Sequence, residues 1–355
     1  MKKLNKFAIL LLIAAMVFNC SKDDDNNAKQ NQLLGKWEVT SGIFLESQPE
    51  YLIFNTDNTI SFLLEHSLGF KSSDEITYSL SASAIEMNIQ GVRAFEYTLN
   101  ENILTIINGS SSLELIKNSA ASTTDDWIEE LSILSKGNTP WSGAVDIAFT
   151  YDKTKIVYGM SNTATYIPLI DPATFTEVGQ IATTNIAKVV EIENFELPDR
   201  YRFESNDNSN LISVSSVDGS IGPFNIDGTG VPFDLEVGIS ISGMASVDNN
   251  YLWVASNVGE GRLNLVNVAD NTIEQTIPLD VYNLNGLDYQ DGFLYVADGV
   301  YLHKCQTEPS FKAITTYKVT DLGMEGIAFD GTNFWASGFD KTESSYKLIK
   351  TSLTL

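Results

Sequence analysis

The residues best suited to chemistry in this chain are oxygen-bearing side chains at fixed places in a repeated phrase. Ser242, Asn285 and Glu325 each stand directly before a glycine that opens a short apolar run. A second set of positions follows the next apolar run of each copy: Asn162, Asn257 and Asp298, with Gly338, which has no side chain, at the fourth. Hard cations such as calcium prefer oxygen ligands. We predict ligand binding by four of these side chains, namely Asn257, Asn285, Asp298 and Glu325. The last three are the candidate metal ligands, with calcium as the candidate ion.

A simpler interpretation competes with that prediction. Asn285 and Glu325 also fit the description of solvated loop residues, which is the commoner and favoured role. His66 and His303 are the only histidines of the chain, and no His-Glu-x-x-His pattern is present. There is no Gly-x-Ser-x-Gly elbow and no phosphate-cradling glycine loop. We therefore assign no catalytic residue.

The elements that position these side chains are copies of one unit. Gly286–Asp298 reads as a short apolar strand, an Asp-Gly turn and a second strand. The phrase recurs at Gly243–Ser256 and at Gly326–Ser337, and a degenerate copy occupies Asp146–Ser161. A period of about 40–50 residues with several short strands per copy is typical of a β-propeller. In such repeats both sets of oxygen-bearing side chains face one end of the central channel.

The copies predict a propeller of five blades, or six if an irregular region hides another. The blades start at about Asp146, Asn185, Gly243, Gly286 and Gly326. In the second blade we expect an inner strand at Ile186–Ile192, an insertion at Asn194–Asn210, and a resumed pattern at Leu211–Ser215. The last copy supplies three strands, at Ile327–Phe329, Asn333–Ala336 and Tyr346–Thr351. Because unpaired strand edges are a liability, we expect Trp127–Ser135 to complete that blade.

The first part of the chain predicts an antiparallel meander of eight strands that closes into a barrel. The candidates are Lys36–Phe44, Tyr51–Phe54, Thr59–Leu64, Ile76–Leu80, Ala84–Ile89, Ala94–Leu99, Ile103–Ile107 and Ser112–Ile116. The Gly35-Lys36-Trp37 opening and the Tyr51–Ile60 segment resemble the lipocalin-like domains of bacterial surface lipoproteins. That resemblance spans about Gln32–Lys117 and implies a small calyx for an apolar molecule. We favour a barrel that packs its own side chains, with Trp37 as the plug.

A second resemblance concerns the repeat. The phrases Asn285-Gly286-Leu287 and Glu325-Gly326 resemble those of calcium-dependent, lactonase-type six-bladed propellers. The resemblance implies a metal-dependent hydrolase, although the order of the phrases and the blade count differ from that family.

The first residues have the pattern of a secretory leader. Lys2, Lys3 and Lys6 precede the apolar run Phe7–Phe18, which is too short to span a bilayer. The following Val17-Phe18-Asn19-Cys20 resembles a bacterial lipobox, and the acidic Ser21–Asp25 resembles a surface-export signal. These resemblances imply a lipidated Cys20 and a protein anchored in the outer membrane and exposed at the cell surface. After lipidation only Cys305 remains, so no intrachain disulfide is expected.

Charge and segment composition complete the assignment. The formal net charge is −24, which repels phosphate backbones and argues against nucleic acid as a partner. We predict an all-β chain with a leader at 1–20, a disordered spacer at 21–30, a lipocalin-like domain at 31–118, a linker at 119–126 and a propeller at 127–355.

The functional prediction is a lipid-anchored cell-surface binding protein that uses the propeller face. Its partner would be a glycan or another envelope protein, and its membrane contact the lipid anchor. The alternatives are a calcium-dependent, lactonase-like hydrolase on the propeller axis and a structural spacer in an envelope complex. An enzyme is not the favoured interpretation.

Overall fold

A computed structural model describes residues 28–43, 48–81, 83–118, 127–139, 144–150, 152–160, 166–182, 201–205, 210–215, 220–225, 235–236, 242–248, 250–256, 261–267, 270, 272–280 and 283–355. The predicted leader with Cys20, the linker 119–126, Asn162 and Asn257 lie outside these residues. The chain forms two units, one of residues 1–65 and 71–127 and the other of residues 66–70 and 128–355. In the part of the chain that the structure describes, no helix combines the length and apolarity needed to cross a bilayer.

The first unit contains a closed barrel of eight antiparallel strands, as the sequence predicts. The strands are β1 (Gly35–Gly42), β2 (Tyr51–Phe54), β3 (Thr59–Glu65), β4 (Lys71–Leu80), β5 (Ala84–Asn88), β6 (Val92–Asn100), β7 (Ile103–Asn108) and β8 (Ser111–Lys117). Each strand pairs with the next, and β1 pairs with β8 to close the barrel. Strand β4 begins at Lys71, before the predicted Ile76, because its first half is polar and reads as loop.

Apolar side chains fill the barrel interior, and Trp37 is fully buried among them. The interior contains Leu33, Trp37, Leu52, Phe54, Ile60, Phe62, Tyr78, Ile85, Met87, Phe95, Leu104, Ile106, Leu113 and Leu115. The Trp37 indole nitrogen donates to the backbone oxygen of Leu33 at 2.6 Å, in a short helical segment at 28–33. A buried indole with its N–H satisfied is a packing residue.

The second unit contains five sheets in its described residues. Its strands are β9 (Glu129–Glu130), β10 (Ile133–Asn138), β11 (Ala144–Phe149), β12 (Ile156–Met160), β13 (Tyr166–Asp171), β14 (Thr176–Ala182), β15 (Tyr201–Ser205), β16 (Asn210–Ser215), β17 (Ser220–Asn225), β18 (Leu235–Glu236), β19 (Gly243–Ser246), β20 (Tyr251–Ser256), β21 (Arg262–Asn267), β22 (Thr272–Pro278), β23 (Leu287–Gln290), β24 (Phe293–Ala297), β25 (Tyr301–Gln306), β26 (Lys312–Lys318), β27 (Leu322–Phe329), β28 (Phe334–Asp340) and β29 (Ser345–Thr351).

These sheets are the blades of a propeller. Strands β11, β15, β19, β23 and β27 contact one another in that order, and β27 returns to β11. The five inner strands therefore form a closed ring, which agrees with the five blades predicted from the repeat. The core lies between neighbouring blades, where aromatic and aliphatic side chains of adjacent sheets interdigitate.

An early strand completes the last blade, but with different boundaries from those predicted. Strand β10 pairs antiparallel with β29, so the closing strand is Ile133–Asn138. The preceding Glu129–Glu130 pairs parallel with β26 of the neighbouring blade. The predicted range Trp127–Ser135 therefore divides between two sheets. The prediction missed this division, because the alternating apolar residues of the range give no sign of a break between two strands.

The second blade differs from the prediction more strongly. Its inner strand is β15 (Tyr201–Ser205), which contacts β11 on one side and β19 on the other. This strand lies inside the predicted insertion at Asn194–Asn210. The predicted inner strand at Ile186–Ile192 falls outside the described residues. The polar stretch Asn206–Asn210 indicates an insertion in the sequence, but it connects two paired strands of one sheet, β15 and β16.

A short segment of residues 66–70 also belongs to the second unit. Phe70 is fully buried, with its ring centroid 4.5 Å from that of His303. The backbone N–H and the hydroxyl of Ser67 both donate to the carboxylate of Asp280. These bonds hold the pKa of Asp280 below its usual value against the opposing effect of burial.

Candidate functional site

Two of the predicted ligand residues lie at one end of the ring, near the starts of inner strands. Asn285 is half-buried, its backbone N–H donates to the oxygen of Ala297 at 2.8 Å, and its Nδ2 lies 3.5 Å from where a Cβ on Gly299 would stand. Glu325 occupies a bulge of β27, where the register to β28 shifts between Met324 and Gly326. Bulges re-aim side chains and occur often beside functional sites.

Asp298 has a structural role in the geometry observed. Its Oδ1 accepts backbone N–H groups from Val300 at 3.1 Å and Tyr301 at 2.7 Å. Its Oδ2 accepts from Nε2 of His303 at 3.1 Å, and Nδ1 of that fully buried ring lies 3.0 Å from the hydroxyl oxygen of Thr316. Both oxygens are therefore engaged in holding a turn and a buried imidazole. Within the described residues, no group of three or more His, Cys, Asp or Glu side chains is arranged to hold a metal ion.

Glycines of the repeat stand where neighbouring inner strands approach most closely. A Cβ on Gly243 would lie 2.4 Å from the oxygen of Asn285, and one on Gly286 would lie 2.8 Å from the nitrogen of Ile327. A side chain at either position would collide with backbone, which explains the choice of glycine. The first blade departs from this rule, since the corresponding residue is Asp146.

Asp146 is 1% exposed, and its Oδ1 accepts the N–H of Ile147 at 3.0 Å. A carboxylate in so enclosed a position is costly unless it is paired or hydrogen-bonded. Its location is the junction where the last blade meets the first. A Cβ on Gly326 would lie 2.8 Å from the Cα of Asp146.

A second residue that departs from the repeat, Ser337, lies on the last blade at this junction. Opposite the repeat glycine on the second strand, two blades carry Ala255 and Ala297, whereas the last blade carries Ser337. Ser337 is fully buried, and its Oγ has no hydrogen-bond partner among the described residues. That oxygen lies 2.7 Å from where a Cβ on Gly326 would stand, beside Asp146.

Tyr158 and Glu325 complete the group, which we call the polar junction (Asp146, Tyr158, Glu325 and Ser337). Burial raises the pKa of the Tyr158 hydroxyl, a hydrogen bond with Thr139 lowers it, and the charge of Glu325 raises it again. Tyr158 therefore stays protonated and able to donate at neutral pH. The junction thus brings two acidic residues and two buried hydroxyl residues to the strands around Gly326, with the side chains of Asp146 and Tyr158 on opposite faces of the sheet that β11 and β12 form.

The predicted set and the observed group share only Glu325. In the sequence Asp146 marks the start of a degenerate copy, and its replacement of the repeat glycine carries no functional prediction. Ser242, from the predicted first class, is also buried, and its Oγ has no partner within the described part of the chain. Buried polar atoms without partners are rare in native proteins and call for a reason such as ligand binding.

Comparison with known proteins gives a resemblance of shape. The chain matches no known protein family, and no curated protein matches it. Glutaminyl cyclase from Myxococcus xanthus is similar over 63% of this chain and 97% of its own, with 9% identity and a TM-score of 0.48. The PQQ-bound aldose sugar dehydrogenase from Streptomyces coelicolor is similar over 74% and 92%, with 12% identity and a TM-score of 0.39.

A catalytically inactive virginiamycin B lyase from Staphylococcus aureus is similar over 90% of this chain and 96% of its own, with 12% identity and a TM-score of 0.37. None of these likenesses assigns an activity to this chain.

Proposed function

We propose that this chain is a lipid-anchored binding protein of the cell surface, and that its propeller recognises a hydroxyl-rich ligand, such as an envelope glycan, at the end of the ring bearing the polar junction. The lipid anchor rests on the leader pattern and Cys20. The binding role rests on the propeller, whose closed ring offers a rigid end with oxygens from several blades.

The observation that carries the proposal is the paired departure from the repeat. Asp146 replaces a glycine and Ser337 replaces an alanine, and both lie beside Gly326. Each change puts a polar side chain into a buried position where two other blades carry Gly243 with Ala255 and Gly286 with Ala297. For Ser337, whose Oγ has no partner among the described residues, a structural role alone would favour the repeat alanine, because a buried polar group without a hydrogen bond destabilises a fold.

Binding fits the geometry better than the alternative, a calcium-dependent hydrolase with Asn285, Asp298 and Glu325 as ligands. Metal ligation by Asp298 would require its carboxylate to release the Tyr301 N–H and the buried His303. His303 is fully buried and engaged on both ring nitrogens, so it is not placed to act as a general base. Of the polar junction, the half-buried Glu325 is the accessible acceptor for a polyol, whereas Asp146, Tyr158 and Ser337 are buried.

The experiment is an array of bacterial envelope glycans probed with the chain from Ser21 onward, which retains the helical segment at 28–33. The comparison is with the double variant Asp146→Gly, Ser337→Ala, which restores the repeat residues. We expect the native chain to bind a subset of glycans, and the variant to lose that binding while keeping a cooperative unfolding transition.

Two results would contradict the proposal. If the variant binds as well as the native chain, the polar junction is not the recognition site. If the native chain binds no glycan and the variant unfolds at a much lower temperature, the junction is a structural closure, which favours the spacer interpretation.

A further inference from the structure

A cleft between the first and last blades lies away from the polar junction, where the inner strands end. It has a volume of about 370 Å³, toward the lower limit of ordinary small-ligand sites. The first blade supplies Phe149 at the end of β11 and Lys153 and Phe175 from its turns, and the last blade supplies Asp330, Trp335 and Lys350. Both blades must be in place to form it.

Aromatic rings make the apolar part of the cleft. The Trp335 ring is almost fully buried, and the ring centroids of Phe149 and Phe175 each lie 5.8 Å from it. Phe175 is only half-buried, so part of its face remains open.

The position of the Phe175 ring is specified by unusual local structure. Phe175 has a φ of 57°, a left-handed conformation that a bulky residue rarely adopts and that often marks a functional position. A Cβ on Gly137 of the closing strand would lie 2.1 Å from Cγ of Phe175, so the ring occupies the space above that glycine. Gly137 of the closing strand β10 therefore leaves room for the Phe175 ring, which forms the aromatic wall of the cleft.

The charged groups leave hydrogen-bond donors available in the cleft. The carboxylate of Asp330 accepts from the N–H groups of Thr332 and Asn333, from the indole of Trp335 at 2.9 Å and from Nζ of Lys350 at 2.7 Å. Its acceptor capacity is thus filled from within the protein. The Nζ of Lys153 donates to the oxygen of Phe329 at 3.2 Å. Each ammonium carries three N–H donors, so both lysines retain donors for a ligand.

The balance of charge in the cleft opposes that of the whole chain. Acidic residues outnumber basic ones by 46 to 22 overall, whereas two ammonium groups and one carboxylate line the cleft. Asp288 also acts on Lys153, but it does not line the cleft, and burial raises the pKa of its carboxyl. The two ammonium groups bind to consecutive residues, Lys153 to the backbone oxygen of Phe329 and Lys350 to the carboxylate of Asp330, so both lie at the same end of β27.

We propose that this cleft binds a carboxylate carried on a ring, with the carboxylate on Lys153 and Lys350 and the flat face of the ring against Phe175. Charge-assisted hydrogen bonds to two ammonium groups fix the anion, and the aromatic wall selects a ligand with an apolar face. A uronic acid unit of an acidic glycan and an aromatic carboxylate share this chemistry. The site is separate from the polar junction and does not depend on what binds there.

The test is titration of the chain from Ser21 onward with methyl glucuronide and with benzoate, followed by protein NMR, with methyl glucoside as the neutral control. We expect saturable millimolar or tighter binding of at least one carboxylate and none of the glucoside. Binding of glucuronide alone identifies the sugar acid as the ligand class, and binding of benzoate alone identifies the aromatic carboxylate.

Matched variants make the test specific. Lys153→Gln should weaken binding at least tenfold, whereas Lys155→Gln in the same hairpin should not, because Lys155 does not line the cleft. Phe175→Gly removes the aromatic wall and relieves the left-handed backbone, so it should fold and bind at least tenfold more weakly. The proposal is overturned if neither carboxylate binds, if glucoside binds equally, or if Lys155→Gln weakens binding as much as Lys153→Gln.

Discussion

Asp146 and Ser337 belong to the first and last blades, yet both stand beside Gly326. A Cβ on that glycine would lie 2.8 Å from the Cα of Asp146 and 2.7 Å from the Oγ of Ser337. The ring closes at this point, and two residues there depart from the repeat toward polar side chains.

If Ser337 is retained for binding, its removal should stabilise the unliganded propeller. Ser337→Ala deletes a fully buried hydroxyl that has no partner among the described residues, so we expect a gain of about 1 kcal/mol. Ser352→Ala is the control, because Ser352 Oγ accepts the N–H of Ser132 at 3.0 Å and its loss should destabilise. Urea unfolding of both variants checks the signs. A loss of stability in Ser337→Ala would show that the hydroxyl has a structural partner.

Close approach of the inner strands predicts a sharp difference between two glycines of β27. A Cβ on Gly326 would meet the backbone nitrogen of Ile147 at 2.8 Å, whereas one on Gly323 would have its nearest contact at 3.6 Å. Gly326→Ala should therefore cost about 2–3 kcal/mol, and Gly323→Ala less than about 1 kcal/mol. Thermal unfolding of the two variants measures this. Equal effects would mean that the ring does not close as described.

Asp330 should make the propeller sensitive to acid. Burial raises the pKa of its carboxyl, but hydrogen bonds from Lys350, Asn333, Trp335 and Thr332 outweigh that effect and lower it to about 2. A depressed folded-state pKa stabilises the fold above the unfolded value of 3.8, and this stabilisation is lost as the pH falls toward 2.

The corresponding measurement is the unfolding free energy of the native chain and of Asp330→Asn from pH 6 to about pH 2. The difference between the two should shrink across the acid end of this range by up to about 2 kcal/mol. A difference that stays constant with pH would show that the Asp330 carboxylate is not preferentially stabilised in the folded chain.

The structural role of Asp298 gives a test of the calcium alternative. Asp298→Ala leaves Nε2 of the buried His303 without its acceptor and should cost about 2 kcal/mol, with or without calcium. Asp298→Asn should cost less, because its side-chain oxygen can still accept the Tyr301 N–H. Thermal midpoints in calcium and in chelator provide the comparison. A calcium-induced rise in the native chain that is absent from Asp298→Ala and from Glu325→Gln would support the metal site instead.

The sequence predicts most of the architecture, because the repeated phrase of the propeller and the alternation of apolar and polar residues in the barrel strands are local signals. The glycines at 243, 286 and 326 mark the inner strands, and the eight barrel strands follow alternating apolar residues between turn residues. The prediction places the inner strand of the second blade wrongly, because the observed strand, Tyr201–Ser205, has neither the repeat glycine nor the apolar run that follows that glycine in the other copies.

The candidate site was harder to predict, because it depends on which blades become neighbours. Asp146 and Ser337 are far apart in the sequence, and neither belongs to a motif. Their departures from the repeat are visible in an alignment of the copies, but ring closure is needed to bring them together. Asp298, by contrast, is predicted from its residue type and its place in the repeat, and neither reveals that a turn and a buried histidine already use both its oxygens.

The most direct measurement is calorimetric titration of the strongest ligand from the glycan array into the native chain, Asp146→Asn and Glu325→Gln. Glu274→Gln is the control, since Glu274 is an exposed carboxylate on β22. We predict at least tenfold weaker binding by each junction variant and unchanged binding by the control. Native affinity in both junction variants would contradict the assignment of recognition to the polar junction.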